Sequence, residues 1–143
     1  MSFLKTMDKV TREKRSEIMS RIRSKNTKPE ILVRKIVFKN GYRYRLHKQD
    51  LPGKPDIVFI SLRKVIFVNG CFWHGHQCRN NLVPKSNKHF WLKKIENNKI
   101  RDKQNHRRLN YLGWSYCVIW ECEIKNAEKL EMKILKYLKK KIA

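Results

Sequence analysis

The chain has 143 residues, 41% of them hydrophobic, a size and content that fit one domain with one core and exclude a disordered basic tail. Its 35 Lys and Arg against 12 acids give a formal charge of +23. A surface so self-repelling is relieved by a polyanion, so nucleic acid is the expected partner, with a ribosomal or chromatin-like protein as the bland alternative.

No apolar run approaches the ~20 residues that span a bilayer, and no apolar h-region follows a charged start. A cytoplasmic, nucleoid-associated protein with no membrane partner is therefore expected. In that reducing compartment Cys71, Cys78, Cys117 and Cys122 point to metal or core roles rather than disulfides.

Residues 9–25, "KVTREKRSEIMSRIRSK", read as a basic amphipathic helix whose apolar positions are few: Val10, Ile18, Met19 and Ile22. An arm that settles on DNA and a solvated surface helix are equally good readings. "NTKPEILVRKIVFKNGY" predicts a second helix. Thr27 is its N-cap, Pro29 sits in the first turn and Glu30 complements the positive end; Ile31, Leu32, Val33, Ile36 and Val37 are its buried face, and Asn40-Gly41 closes it. "YRYRLH" alternates as a strand. "LPGKPDIVFI" and "KVIFVNG" are strands joined by a connection short enough for a hairpin.

After a cysteine-rich loop and a polar linker, residues 88–112 predict a long helix with Trp91, Ile95, Leu109 and Leu112 as a partial stripe and Gly113 as its stop. "WSYCVIWE" is a further buried strand with Cys117 as a small core residue, and "NAEKLEMKILKYLKKKI" closes the chain as an amphipathic helix. The order ααβββαβα implies an α/β protein, a mixed β-sheet flanked by helices.

The loop "VNGCFWHGHQC" carries the chemistry. Cys71, Cys78 and a histidine, either His74 or His76, supply three zinc-type ligands, and Cys122 follows a later strand. The loop is polar and flanked by Gly70 and Gly75, so it is not core, and a structural Zn2+ would stabilise a segment with little apolar burial. Phe72 and Trp73 lie among these ligands, where burying both is difficult. They suit wedges between base steps, and Trp91 is either a third wedge or a core residue. Asp56, after Pro55 and ahead of an apolar strand, is either a Mg2+ ligand or a turn cap. Glu30 and His74 are the remaining acid–base candidates.

Taken together, "LPGKPDIVF", "VIFVNGCFWHGHQC", "FWLKKIENNKIRDKQN" and "LGWSYCVIWEC" resemble the very-short-patch mismatch repair endonucleases (Vsr-type) of bacteria, in order, from about residue 7 to residue 125. The resemblance implies a restriction-endonuclease-like fold related to the PD-(D/E)xK nucleases. It also implies a Mg2+-dependent enzyme that nicks 5′ to the thymine of a T·G mismatch left by deamination of 5-methylcytosine. Cys71, His76, Cys78 and Cys122 would then be the zinc ligands. Asp56 and the main-chain carbonyl of Val68 would hold Mg2+, with His74 near the attacking water and Glu30 in the same site. Phe72, Trp73 and Trp91 match the family's intercalating aromatics, and Met19 and Lys94 match positions at the mismatch.

One position departs from the pattern. The best-known member has a histidine where this chain has Asn69, and an amide does not relay a proton as imidazole does. Asn69 is expected to orient a water instead. The acid-x-Lys half of the PD-(D/E)xK signature is absent after the second strand, as in the family. The expected organisation is a single nuclease domain over residues 1–143, with 1–26 a basic helical arm and 27–143 a catalytic core bearing a zinc loop at 70–78. It is expected to be a monomer that acts on double-stranded DNA with a T·G mismatch, with other mismatch-repair proteins as candidate partners. The rivals are a related nuclease with another target and a zinc-stapled DNA-binding module without catalysis.

Overall fold

The computed structural model describes residues 27–71, 76 and 87–140. The expected N-terminal arm with Met19, and the loop residues Phe72, Trp73, His74 and Cys78, lie outside the described residues.

Helix α1 spans Lys28–Lys39. Thr27 caps it as expected, its side-chain oxygen accepting from the Glu30 N–H at 3.4 Å, with Pro29 in the first turn and Asn40 as C-cap. Its buried face is Pro29, Glu30, Val33, Ile36 and Val37, whereas Ile31 is exposed. The expected stripe was one position too wide because Ile31 falls on the outer side of the 3.6-residue turn.

Four short strands follow: β1 (Arg45–Leu46), β2 (Ile57–Phe59), β3 (Lys64–Asn69) and β4 (Ser115–Trp120). They form one sheet in the order β1-β2-β3-β4. The β2–β3 hairpin is antiparallel, and β1 joins β2 antiparallel over only two residues, far shorter than the alternation in "YRYRLH" suggests. β3 and β4 are parallel, so the chain must cross over between them, and helix α2 (Lys88–Tyr111) lies in that crossover. Gly113, at φ +88, takes the left-handed position just beyond α2 and supplies the expected stop. A short 3-10 helix (Glu121–Lys125) leads into α3 (Ala127–Lys139).

Alternation along the strands sorts the core into two layers. Ile57, Phe59, Ile66 and Ile119 meet Val33, Ile36 and Val37 of α1 and Leu130, Ile134 and Leu138 of α3. On the other face Val58, Val65 and Phe67 meet Leu109 of α2. The molecule is thus a mixed sheet with helices on both sides. Most of β4 is only half-buried, with Ile119 its one fully buried residue, so the expectation of a buried strand is met only there. Cys117 packs partly buried against the α1–α3 core, and burial pushes its thiol above the ordinary range, which fits a packing role.

The same alternation sends Lys64 inward, where it is 3% exposed. Its ammonium donates to the carbonyls of Tyr137 (2.8 Å), Leu138 (2.9 Å) and Lys140, closing the C-terminal end of α3. A cation there complements the negative helix end and satisfies carbonyls that the helix leaves over. Burial, with a smaller push from Lys140, pulls the ammonium below the usual lysine range. Lys64→Met keeps the stem and removes the cap. It should lower stability by about 1–3 kcal/mol, the cost of stranding buried acceptors, read as a lower denaturant midpoint with an unchanged slope. An unchanged midpoint would mean that solvent satisfies those carbonyls equally well.

Candidate active site and metal centre

Asp56 stands where two strand ladders run out. On one side β1 pairs with β2 as far as Leu46 and Ile57, and the next bond is His47 N–H to the Asp56 carbonyl at 3.1 Å. On the other side β2 pairs with β3 as far as Ile57 and Ile66. The N–H of Val68, two residues further along β3, donates to the Asp56 carboxylate at 2.7 Å. The main chain and side chain of Asp56 are therefore both fixed by the sheet. Gly53 makes the approach to Asp56 possible: at φ +79, a Cβ there would lie 3.0 Å from the Phe67 ring and 3.2 Å from Asn105 Cβ. Only a glycine fits where this loop crosses β3 and α2.

Glu30 is the second acid of the site. It is 1% exposed, its carboxylate pairs with Arg34 one turn along α1, and both its oxygens lie 3.0–3.1 Å from His47 Nε2. Donor atoms of Glu30, His47 and Asp56 all lie within 4.8 Å of one another. Glu30 is thus a buried bridging group rather than simply a surface charge at a helix end.

A groove of about 610 Å³ opens beside Asp56. One wall is the end of β3, including Val68, Asn69 and Gly70; the other is the polar side of α2. Lys93, Asn97, Arg101 and Asn105 recur every four residues along that wall, so they form one stripe of the helix. Lys94 also lines the groove and sits 6.0 Å over the Phe90 ring. Trp91 is half-buried one residue from this lining and meets Phe90 edge-on, with ring centroids 5.0 Å apart. Glu121, just past β4, adds a carboxylate to the rim.

The sulfur and imidazole cluster lies at the end of the same two strands. β3 and β4 end in register at Asn69 and Trp120, and Cys71 and Cys122 each follow two residues later. Parallel pairing therefore delivers both thiols to one place. His76 joins them: its N–H donates to the Cys71 carbonyl at 2.9 Å, and its ring stacks on Trp120 with centroids 4.3 Å apart. The donor atoms of Cys71, His76 and Cys122 lie within 4.8 Å of one another, and Cys122 Sγ is 3.6 Å from His76 Nδ1. A tetrahedral ion with bonds of about 2.3 Å to sulfur and about 2.0 Å to nitrogen holds such donors about 3.5 Å apart, so the group fits a metal. The backing is firm, because Glu123 accepts from the Trp120 N–H and from Lys133.

Of the residues singled out from sequence, the structure brings Asp56, Val68 and Asn69 to one edge of the groove with Glu30 buried beside Asp56, and Cys71, His76 and Cys122 to the adjoining cluster. Lys94 lines the groove with them. His47 and Glu121 were missed. His47 follows a basic strand and belongs to no ligand motif, so only tertiary packing reveals it. Glu121 had a readable signal, since it sits at the C-terminal end of a parallel strand, where α/β sheets place their sites.

The family described as DNA mismatch endonuclease Vsr matches residues 7–80. The chain is 48% identical to the type II nicking enzyme V.XorIIP of Xanthomonas oryzae pv. oryzae over 127 residues, 89% of this chain and 93% of that protein. It is 50% identical to the type II nicking enzyme V.NmeAIP of Neisseria meningitidis serogroup A over 119 residues, 83% of this chain and 85% of that one. Against the DNA mismatch endonuclease Vsr of Escherichia coli K12, identity is 40% over 123 residues, 86% and 77% of the two chains. No helix among the described residues is long and apolar enough to cross a membrane. By these matches the chain belongs to the DNA mismatch endonuclease Vsr family.

Proposed function

We propose that the protein nicks one strand of duplex DNA 5′ to the thymine of a T·G mismatch, with Mg2+ at Asp56 and a structural Zn2+ at the cysteine cluster. One observation carries this reading: Asp56, its carboxylate fixed by the Val68 N–H, stands at the edge of a groove walled by the polar side of α2, which carries Lys93, Lys94 and Arg101. The names of the relatives support it, one a mismatch endonuclease and two of them nicking enzymes. All of residues 1–143 are taken as one nuclease domain, with 1–26 as its arm.

Asp56 and the carbonyl of Val68 would hold the Mg2+, an ion that favours one or two carboxylates plus phosphate oxygens. When bound, it supplies charge neutralisation at the scissile phosphate. The chain does the rest. Lys93, Lys94 and Arg101 draw the phosphate backbone into the groove and give a salt-sensitive, sequence-independent grip. Asn69, 8% exposed at the end of β3, orients the attacking water through its amide. His74 takes the proton of that water, and Glu30 holds its neighbours from behind.

Selectivity would come from Phe72, Trp73 and Trp91 entering the base stack, with Met19 and Lys94 touching the mismatch. A wobble pair is cheaper to unstack than a Watson–Crick pair, so wedges discriminate through deformation energy of a few kcal/mol. Cys71, His76, Cys78 and Cys122 would complete a tetrahedron around Zn2+ and stiffen the loop that carries Phe72 and Trp73.

On a panel of mismatched duplexes with Mg2+, T·G should be nicked at least about 10²-fold faster than its matched control, the size of effect a few kcal/mol produces. Equal rates on both would exclude the mismatch role. Asp56→Ala should reduce nicking about 10³-fold or more while duplex affinity stays within a few-fold; undiminished nicking would place the ion elsewhere. Purified protein should carry one zinc per chain. Cys122→Ser should lose it and melt well below wild type, because structural zinc contributes folding energy outright. A metal-free preparation with wild-type stability would refute the zinc site.

A further inference from the structure

His47 has no role in the proposed reaction, yet it ties Glu30 of α1 to Asp56 at the entry of β2. Its backbone takes φ +48, in the left-handed region that His enters more readily than most residues. Two bonds fix it in place. The ring Nε2 faces both oxygens of Glu30 at 3.0–3.1 Å, and the backbone N–H donates to the Asp56 carbonyl at 3.1 Å. A nitrogen between two carboxylate oxygens carries the proton, so the ring is a donor clamped onto Glu30. Glu30 is in turn fixed by burial and by Arg34 on α1.

These links form a single path: α1 holds Glu30, Glu30 holds the His47 ring, His47 holds the Asp56 main chain, and Val68 holds the Asp56 carboxylate. The three donor groups lie within 4.8 Å of one another, but their chemistry is not that of a magnesium cage. That ion wants oxygen ligands and water, whereas here a ring N–H and a guanidinium already occupy the Glu30 carboxylate. Burying the Glu30 carboxylate has a desolvation cost that Arg34 and His47 offset only while both hold their positions, so the three side chains fix one another.

We propose that His47 is a positioning residue of the nicking site, its ring clamped by Glu30 so that its backbone N–H sets the position of Asp56. The inference rests on the reading of Asp56 as the metal-binding carboxylate. Groups that orient a metal ligand from behind change metal affinity or activity by about 10–100-fold when removed.

The test uses the full chain as His47→Ala and His47→Gln, with Asp56→Ala alongside. Mn2+ affinity is measured by electron paramagnetic resonance in complex with a T·G duplex bearing a non-cleavable linkage. Nicking of a cleavable duplex is measured at saturating DNA. His47→Ala should weaken Mn2+ binding and slow nicking by about 10–100-fold each, with KM for DNA within about twofold. His47→Gln, whose amide nitrogen reaches the Nε2 position, should restore most of both.

Wild-type Mn2+ affinity and rate in His47→Ala, with Asp56→Ala inactive, would overturn this inference and leave the Asp56 reading standing. So would a His47→Gln no better than His47→Ala, with both melting equally low, since that pattern means packing alone. Wild-type Mn2+ binding and nicking in Asp56→Ala would instead overturn the reading of the site itself.

Discussion

Val68 pairs with Ile119 and Asn69 with Trp120 in the parallel ladder between β3 and β4, and both chemical centres begin where that ladder ends. The N–H of Val68 on its other side reaches across to the Asp56 carboxylate. Two residues beyond the last pair, Cys71 and Cys122 come side by side and meet His76. One strand therefore sets the distance between a carboxylate and a sulfur cluster. A slip of one residue in its register would turn every side chain of β3 to the opposite face and separate both pairs. β3 is buried on both faces, so its register is held by side-chain fit in the two core layers, Ile66 in one and Val65 and Phe67 in the other, and by the paired strands on either side.

Charge is distributed with the same economy. The formal +23 would be a burden to a compact molecule, but α2 concentrates part of it along one groove wall where a phosphate backbone would lie. α2 needs little burial to hold its place, since Ile95 and Leu109 are its only fully buried side chains among the described residues. Most of its remaining positions are polar or charged, although Phe90, Leu92, Ile100 and Tyr111 are exposed apolar or aromatic side chains. By contrast, the cation of Lys64 is spent inside the fold on the end of α3, where a solvent-facing lysine would do nothing for stability.

Much of this was legible in the sequence because it is local. Thr27 and Pro29 mark the start of α1, Gly113 the stop after α2, and the apolar runs on either side of residues 60–63 the hairpin. The ligand types and spacing of Cys71, His76 and Cys122 pointed to one cluster, though residue spacing alone left His74 and His76 as rivals. What stayed hidden depends on tertiary contact. The buried role of Glu30 follows from His47, 17 residues away, which no local rule connects to it. The polar wall of α2 reads as a solvated face until β3 and the Gly53 loop are placed opposite it. The shortness of β1 is equally non-local, because a strand extends only as far as its neighbour offers partners.

The proposed site holds two metals at one end of the β3–β4 pair, with DNA between the strand ends and α2. A crystal structure of the protein on a T·G duplex, with Mn2+ in place of Mg2+ and anomalous data at the manganese and zinc edges, tests this directly. The expected map has manganese on the Asp56 carboxylate in contact with the phosphate 5′ to the mismatched thymine, and zinc among Cys71, His76 and Cys122. Manganese and the scissile phosphate found away from Asp56, or a cysteine cluster without zinc signal, would contradict it.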